Sequence, residues 1–169
     1  KALSISDNIP LLGWAYLKGK CKYCGKKIGL RYFLTESIST IVFSCLFYVY
    51  FFEWVLIPYF LFFSLLIIGS GIDFDEYWIP DTVTIGSILL GLIFSIIMPQ
   101  LHGFDSRISA LIASFTGLFV GSGTLLIIGF LGKLLLKRDS MGMGDIKLLG
   151  AIGAVLGWEA VLFTIFIGS

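Results

Sequence analysis

Charge is confined to a few short segments of this chain, and the apolar stretches between them are long enough to cross a bilayer. A hydrocarbon core of about 30 Å takes about 20 mostly apolar residues in a helix. Five stretches meet that length: roughly 33–52, 54–72, 82–99, 108–132 and 146–169. The expected fold is therefore all-α, a polytopic membrane helical bundle. Residues 1–32 are expected to form a small cytoplasmic N-terminal segment, and 33–169 a membrane-embedded domain of about five spans. The composition, 57% hydrophobic and 14% charged, with a mean hydropathy of +0.98, argues against a soluble domain. A long polar segment comes first, so none of the five runs reads as a secretory signal. A net charge of +1 argues against a nucleic-acid partner.

Orientation follows from the basic residues. Seven of the 12 precede the first span: Lys1, Lys18, Lys20, Lys22, Lys26, Lys27 and Arg31. Lys133, Lys137, Arg138 and Lys147 lie around the fourth connection, and only Arg107 lies elsewhere. Cytoplasmic loops carry the excess of Lys and Arg, so the N-terminal segment is placed inside. Counting spans then puts two acidic segments on the same, cytoplasmic side. One is Gly71-Ile72-Asp73-Phe74-Asp75-Glu76-Tyr77-Trp78-Ile79-Pro80-Asp81, and the other is Met141-Gly142-Met143-Gly144-Asp145-Ile146-Lys147. Two crossings separate Asp73 from Asp145, so their carboxylates can meet.

Taken singly, these carboxylates have plain readings. Asp81 and Asp145 precede apolar helices and read as N-caps; Asp73 and Asp75 read as solvated span ends. As a group they read as a site, because ionisable residues at membrane depth are costly and mark functional positions. Two adjacent carboxylates do not both ionise easily. The ionised one can take a proton from water while the neutral one hydrogen-bonds a scissile carbonyl. The pair titrates as a unit, so the sequence does not assign the two parts. Gly142 and Gly144, around Met143, offer close backbone approach or unusual dihedrals for a loop lying against a peptide, or simply a turn. No Ser-His-Asp arrangement competes: the single histidine, His102, falls in an outside loop. Cys45 lies within the first span and reads as packed.

These motifs resemble the type IV prepilin leader peptidases, membrane aspartic proteases of the Gly-x-Gly-Asp type. Three segments carry the resemblance. Asp7-Asn8-Ile9-Pro10-Leu11-Leu12-Gly13-Trp14, with Lys20-Cys21-Lys22-Tyr23-Cys24-Gly25 and Arg31-Tyr32, is similar to the family's cytoplasmic segment. Gly71-Ile72-Asp73-Phe74-Asp75 with Ile79-Pro80-Asp81 is similar to its first aspartate motif, and Gly142 to Leu149 to its second. The resemblance implies a catalytic dyad of Asp73 and Asp145. It also implies a bacterial inner-membrane location and removal of a short basic leader from prepilins or pseudopilins on the cytoplasmic side. Such enzymes serve type IV pili and protein secretion. Many members also methylate the new N-terminus with S-adenosylmethionine; no motif for that cofactor is visible here. The family often has histidine where this chain has Glu76, and it carries further membrane residues at both ends, so the chain is expected to be a fragment.

Cys21 and Cys24 have the spacing of half a tetrahedral zinc site. A reduced surface pair and a redox motif are the other readings. In the family a similar pair lies just before the segment that begins here at Lys1, which strengthens zinc. The flanking lysines favour thiolate and fit either contact with anionic lipid or a solvated, topology-setting face. Glu36, inside the first apolar run, has either a structural polar contact or a site role. Lys147 either holds the ionised dyad carboxylate or serves as a helix-end charge. Gly117 and Gly121 form a small-xxx-small pair that lets helices approach closely. Two other functions use the same residues: a transporter or channel with Asp73 and Asp145 as cation or proton ligands, and a scaffold in which the acids only cap helices.

Overall fold

The computed structural model describes residues 11–17, 19–136 and 142–168. The 7–10 start of the N-terminal motif, Lys1, Lys18, Lys137, Arg138 and Met141 lie outside them. The described residues form seven α-helices and no strand. These are α1 (Leu12–Tyr16), α2 (Leu30–Tyr50), α3 (Leu56–Glu76), α4 (Asp81–Ile97), α5 (Arg107–Leu136), α6 (Met143–Leu156) and α7 (Trp158–Gly168). The all-α expectation holds. The chain divides into two compact units, Lys1–Phe52 and Glu53–Ser169.

In the first unit, Trp14 of α1 packs its ring on Phe33 of α2, with centroids 4.6 Å apart. Glu36 accepts the backbone N–H of Leu11 at 3.1 Å, so of its two readings the structure shows a polar contact near the start of α2. Further along α2, Ser37, Ser39 and Thr40 donate to the carbonyls four residues earlier. Their hydroxyls are thus satisfied within the helix, as a lipid environment requires. No residue of α2 is buried.

In the second unit, α6 is the central helix, with Ile146, Leu149, Gly150, Ala151, Gly153, Ala154 and Val155 all buried. It lies against α4, α5 and α7. The contact with α5 is made backbone to backbone. A Cβ on Gly117 would fall on the Gly153 carbonyl, and one on Gly153 would fall on the Gly117 carbonyl. Gly121 meets Leu149 and Gly150 in the same way, and Gly91 of α4 meets Ala154. The expected close-approach pair Gly117 and Gly121 therefore finds its partners on α6. Ser114 of α5 adds a buried hydrogen bond to the Ala154 carbonyl at 2.7 Å.

Three helices, α2, α3 and α5, are long and apolar enough to cross a membrane. With 17 residues, α4 spans about 26 Å at 1.5 Å per residue. The stretch 146–169, expected as one span, is two helices. α6 ends at Leu156 after 14 residues, and α7 begins at Trp158. Between them Gly157 sits at φ 87, ψ 170, a conformation open only to glycine. The break carries no charge, so the apolar run conceals it. The protein is a membrane protein with a helical bundle.

The chain order sorts the chemistry to two ends. The start of α3 is held by Tyr59, which donates to the Leu101 carbonyl at 3.1 Å. Leu101 lies in the 3₁₀ turn Pro99–His102, after α4. The end of α3 and the starts of α4 and α6 therefore gather at the opposite end from His102 and Gly157. At the His102 end, Ser95 Oγ lies 3.0 Å from His102 Nε2, in a bond whose direction follows the tautomer. Burial pushes His102 below its ordinary value, and a hydrogen bond with the Ala154 carbonyl opposes that in part.

Two predictions follow from this packing. Gly153→Val puts carbon onto the Gly117 carbonyl and costs about 1–3 kcal/mol, whereas Gly123→Ala, with open space around it, is neutral or stabilising; thermal melting in detergent checks both. The second concerns pH. The unfolded chain protonates His102 near its ordinary value of 6.5, and the folded chain resists protonation to lower pH. Stability is therefore fully present above that value and lost as pH falls through the folded one. Melting in detergent is expected to fall as pH drops below about 7, and to fall less in His102→Gln.

Candidate functional site

The cleft at the acidic end is built from three helix termini. Asp73 sits in the last turn of α3, half-buried. That helix ends because Tyr77 takes a left-handed conformation, φ 56, ψ 32, and returns its N–H to the Asp73 carbonyl at 2.9 Å. The linker then runs through Trp78, whose indole N–H donates to Glu76 Oε2 at 2.6 Å. The buried Ile79 follows, and Pro80 is the N-cap of α4. Asp81 lies in the first turn of α4 and Asp145 in the first turn of α6. Neither is the N-cap, contrary to the plain reading of each; Pro80 and Gly142 hold the cap positions. Acidic side chains in a first turn still meet the positive end of the helix dipole.

Asp73 and Asp145 line one open cleft of 360 Å³. Tyr77, Trp78, Ile79, Asp81, Gly142 and Lys147 are among the residues that share it. The volume is within the range of ligand sites. The two glycines of the second motif act through space and not through dihedral freedom. Gly142 has φ −73 and ψ 142, open to any residue, and Gly144 is helical. A Cβ on Gly144 would come 3.3 Å from Ile79 Cβ, so its absence lets the α3–α4 linker lie on the start of α6. A Cβ on Gly142 would come 3.2 Å from Asp145 Oδ2 and crowd that carboxylate.

Lys147 pairs with Asp81: its Nζ lies 2.6 Å from Asp81 Oδ1. This replaces the expectation that it holds a dyad carboxylate. With side chains 34% and 63% exposed, the pair adds under about 1 kcal/mol to stability. Sequence reasoning also missed Tyr77, Trp78 and Ile79 as cleft walls. The only signal was an aromatic pair inside the acidic motif.

Cys21 and Cys24 lie in the first unit, on a tight hairpin. Cys21 N–H donates to the Lys26 carbonyl at 2.8 Å, and Gly25 N–H donates to the Cys21 carbonyl at 2.9 Å. Lys20 and Lys27 form an antiparallel bridge. Gly25, at φ +65, supplies the left-handed turn. The backbone N–H groups of Cys24 and Tyr23, and then the Cys24 side chain, hold the Cys21 thiol below its ordinary range, against a smaller opposing effect of burial. This donor set fits one half of a tetrahedral thiolate site. Among the described residues no cluster of three or more His, Cys, Asp or Glu is placed to hold a metal.

Comparison with known proteins agrees with this arrangement. Residues 60–169 match the type IV leader peptidase family, and residues 1–50 match the bacterial peptidase A24 N-terminal domain. A prepilin leader peptidase/N-methyltransferase of Neisseria gonorrhoeae is 33% identical over 163 residues, covering 96% of this chain and 54% of that protein. The protein of the same name from Aeromonas hydrophila is 33% identical and 53% covered. Its namesake from Klebsiella pneumoniae is 32% identical and 68% covered. The chain thus spans about half the length of the first two relatives. No solved structure matches it. With its two aspartate motifs meeting in one cleft and most of its length matched, the chain belongs to the type IV leader peptidase family.

Proposed function

We propose that this chain carries the active site of an aspartic endopeptidase that removes the leader of type IV prepilins or pseudopilins, with Asp73 and Asp145 as its dyad. The observation that carries the reading is the shared cleft: two carboxylates, 72 positions apart and on different helices, line one open space. The relatives are named as peptidases of this kind, which favours the reading over ion transport.

The chemistry needs only the pair and water. The ionised carboxylate takes a proton from water as the oxygen attacks the scissile carbonyl. The protonated carboxylate donates a hydrogen bond to the carbonyl oxygen, stabilising the charge that develops there. Collapse of the tetrahedral intermediate breaks the C–N bond, and the proton passes to the leaving amine. No covalent enzyme intermediate forms. Either aspartate can take either part.

In this reading residues 1–32 form a cytoplasmic segment and 33–169 the membrane-embedded domain, in the bacterial inner membrane. The positive-inside pattern supports a cytoplasmic cleft, with substrate arriving from the lipid, its leader in water. The relatives' second name supports N-methylation of the new terminus, with S-adenosylmethionine as donor. Zinc held by Cys21 and Cys24 would have a structural part, the two thiolates supplying half of a four-ligand site.

Two predictions test this. Asp73→Asn and Asp145→Asn each lower prepilin cleavage at least about 10²–10⁴-fold while the protein still inserts; gel shift reads cleavage, and product mass with S-adenosylmethionine reads methylation. Retained cleavage in either variant sinks the dyad. Elemental analysis of the purified full-length enzyme is expected to find zinc, and to find it lost in Cys21→Ser; a metal-free wild type ends the zinc proposal.

A further inference from the structure

Lys147 is two residues from Asp145, yet its ammonium reaches across the cleft to Asp81. Asp81 opens α4, at the far end of the linker that leaves Asp73. The pair therefore ties the first turn of α4 to the second turn of α6, beside the dyad. It lies along the cleft wall and not outside it, since both residues line the same space as Asp73 and Asp145.

Among the described residues the charges around this space are unbalanced. The end of α3 supplies Asp73, Asp75 and Glu76, with the phenol of Tyr77; α4 supplies Asp81; α6 supplies Asp145. Glu76 is engaged by the Trp78 indole. On the cationic side, Lys133 lies in the last turn of α5. Lys147 is the sole cation among the described residues that line the cleft. A tie worth so little to stability at such exposure still holds the lysine ammonium on the wall of the cleft that Asp73 and Asp145 share.

We propose that the Asp81–Lys147 pair is a positioning device for the dyad: by tying α4 to α6 at the cleft wall it fixes the spacing of the two acid-bearing segments. This rests on the reading of Asp73 and Asp145 as the dyad. A tie that serves stability alone lowers melting when it is lost and leaves the rate of the folded enzyme unchanged.

The test uses full-length enzyme in detergent and a prepilin substrate, with kcat and KM measured separately. Lys147→Met and Asp81→Asn are each expected to lower kcat roughly tenfold to a hundredfold with little change in KM. Lys147→Arg keeps the rate near wild type, and the exchanged pair Asp81→Lys with Lys147→Asp recovers much of the rate lost in Lys147→Met. Size exclusion and melting confirm that each variant is folded. The inference is overturned by a wild-type kcat in either single variant, or by failure of both Lys147→Arg and the exchanged pair to recover the rate. An Asp73→Asn control in the same assay separates the failures: if that variant cleaves, the dyad reading falls and takes this one with it. If that variant is dead while the single variants keep the wild-type rate, only the Asp81–Lys147 role falls.

Discussion

Helices in a membrane gain nothing by hiding apolar surface from one another, because lipid tails are as apolar as leucine. Their association rests on close packing and on hydrogen bonds that cross between them. In the second unit both are supplied by one seam. Gly117 and Gly121 of α5 lie against Gly153, Gly150 and Leu149 of α6, and Gly91 of α4 lies against Ala154. Ser114 seals the seam by donating to the Ala154 carbonyl. A Cβ at Gly117 or Gly153 would occupy the place of a carbonyl oxygen, so register and separation of these helices are fixed together.

The cleft inherits that precision. Gly150 and Asp145 are five residues apart on one helix, about 7–8 Å along its axis. Locking α6 against α5 therefore locks the height of Asp145. On the other side, Gly69 of α3 leaves room for the Val83 side chain of α4, which sets the end of α3 and hence Asp73. The linker between α3 and α4 closes the frame where Ile79 rests on Gly144. Thus the residues that position the two carboxylates are mostly ones with no chemistry of their own. The shared cleft of Asp73 and Asp145 is a consequence of where helices are allowed to touch.

This division explains what the sequence made legible. The acidic motifs, their order and the even number of crossings between them put Asp73 and Asp145 on one side, and the structure has them in one cleft. The Gly117–Gly121 spacing announced a close helix contact, though not its partner, because partner choice is a tertiary property. The break at Gly157 was hidden: a glycine in an apolar run looks like any other small residue until its φ is known. Asp81 and Asp145 read as caps because Asp is a favoured capping residue, but the helices begin one to three residues earlier than that reading requires. Lys147 read as a partner for its sequence neighbour; on a helix start the longer reach across to α4 was available instead.

The depth of the carboxylates bears on which chemistry they suit. Ion-coupling acids in transporters sit near the bilayer midplane. Here Asp145 is exposed in a first turn, and Asp73 is half-buried in a last one. Phe74, Tyr77 and Trp78 stand exposed beside them, and Tyr and Trp are the side chains that collect where the bilayer meets water. Hydrolysis consumes water, and a single-span substrate arrives from lipid. An open cleft at a helix-end layer receives the two from different directions, whereas a midplane site would have to conduct water through hydrocarbon. The placement of the acids thus favours hydrolysis in the proposed reading, independently of the motif that first drew attention to them.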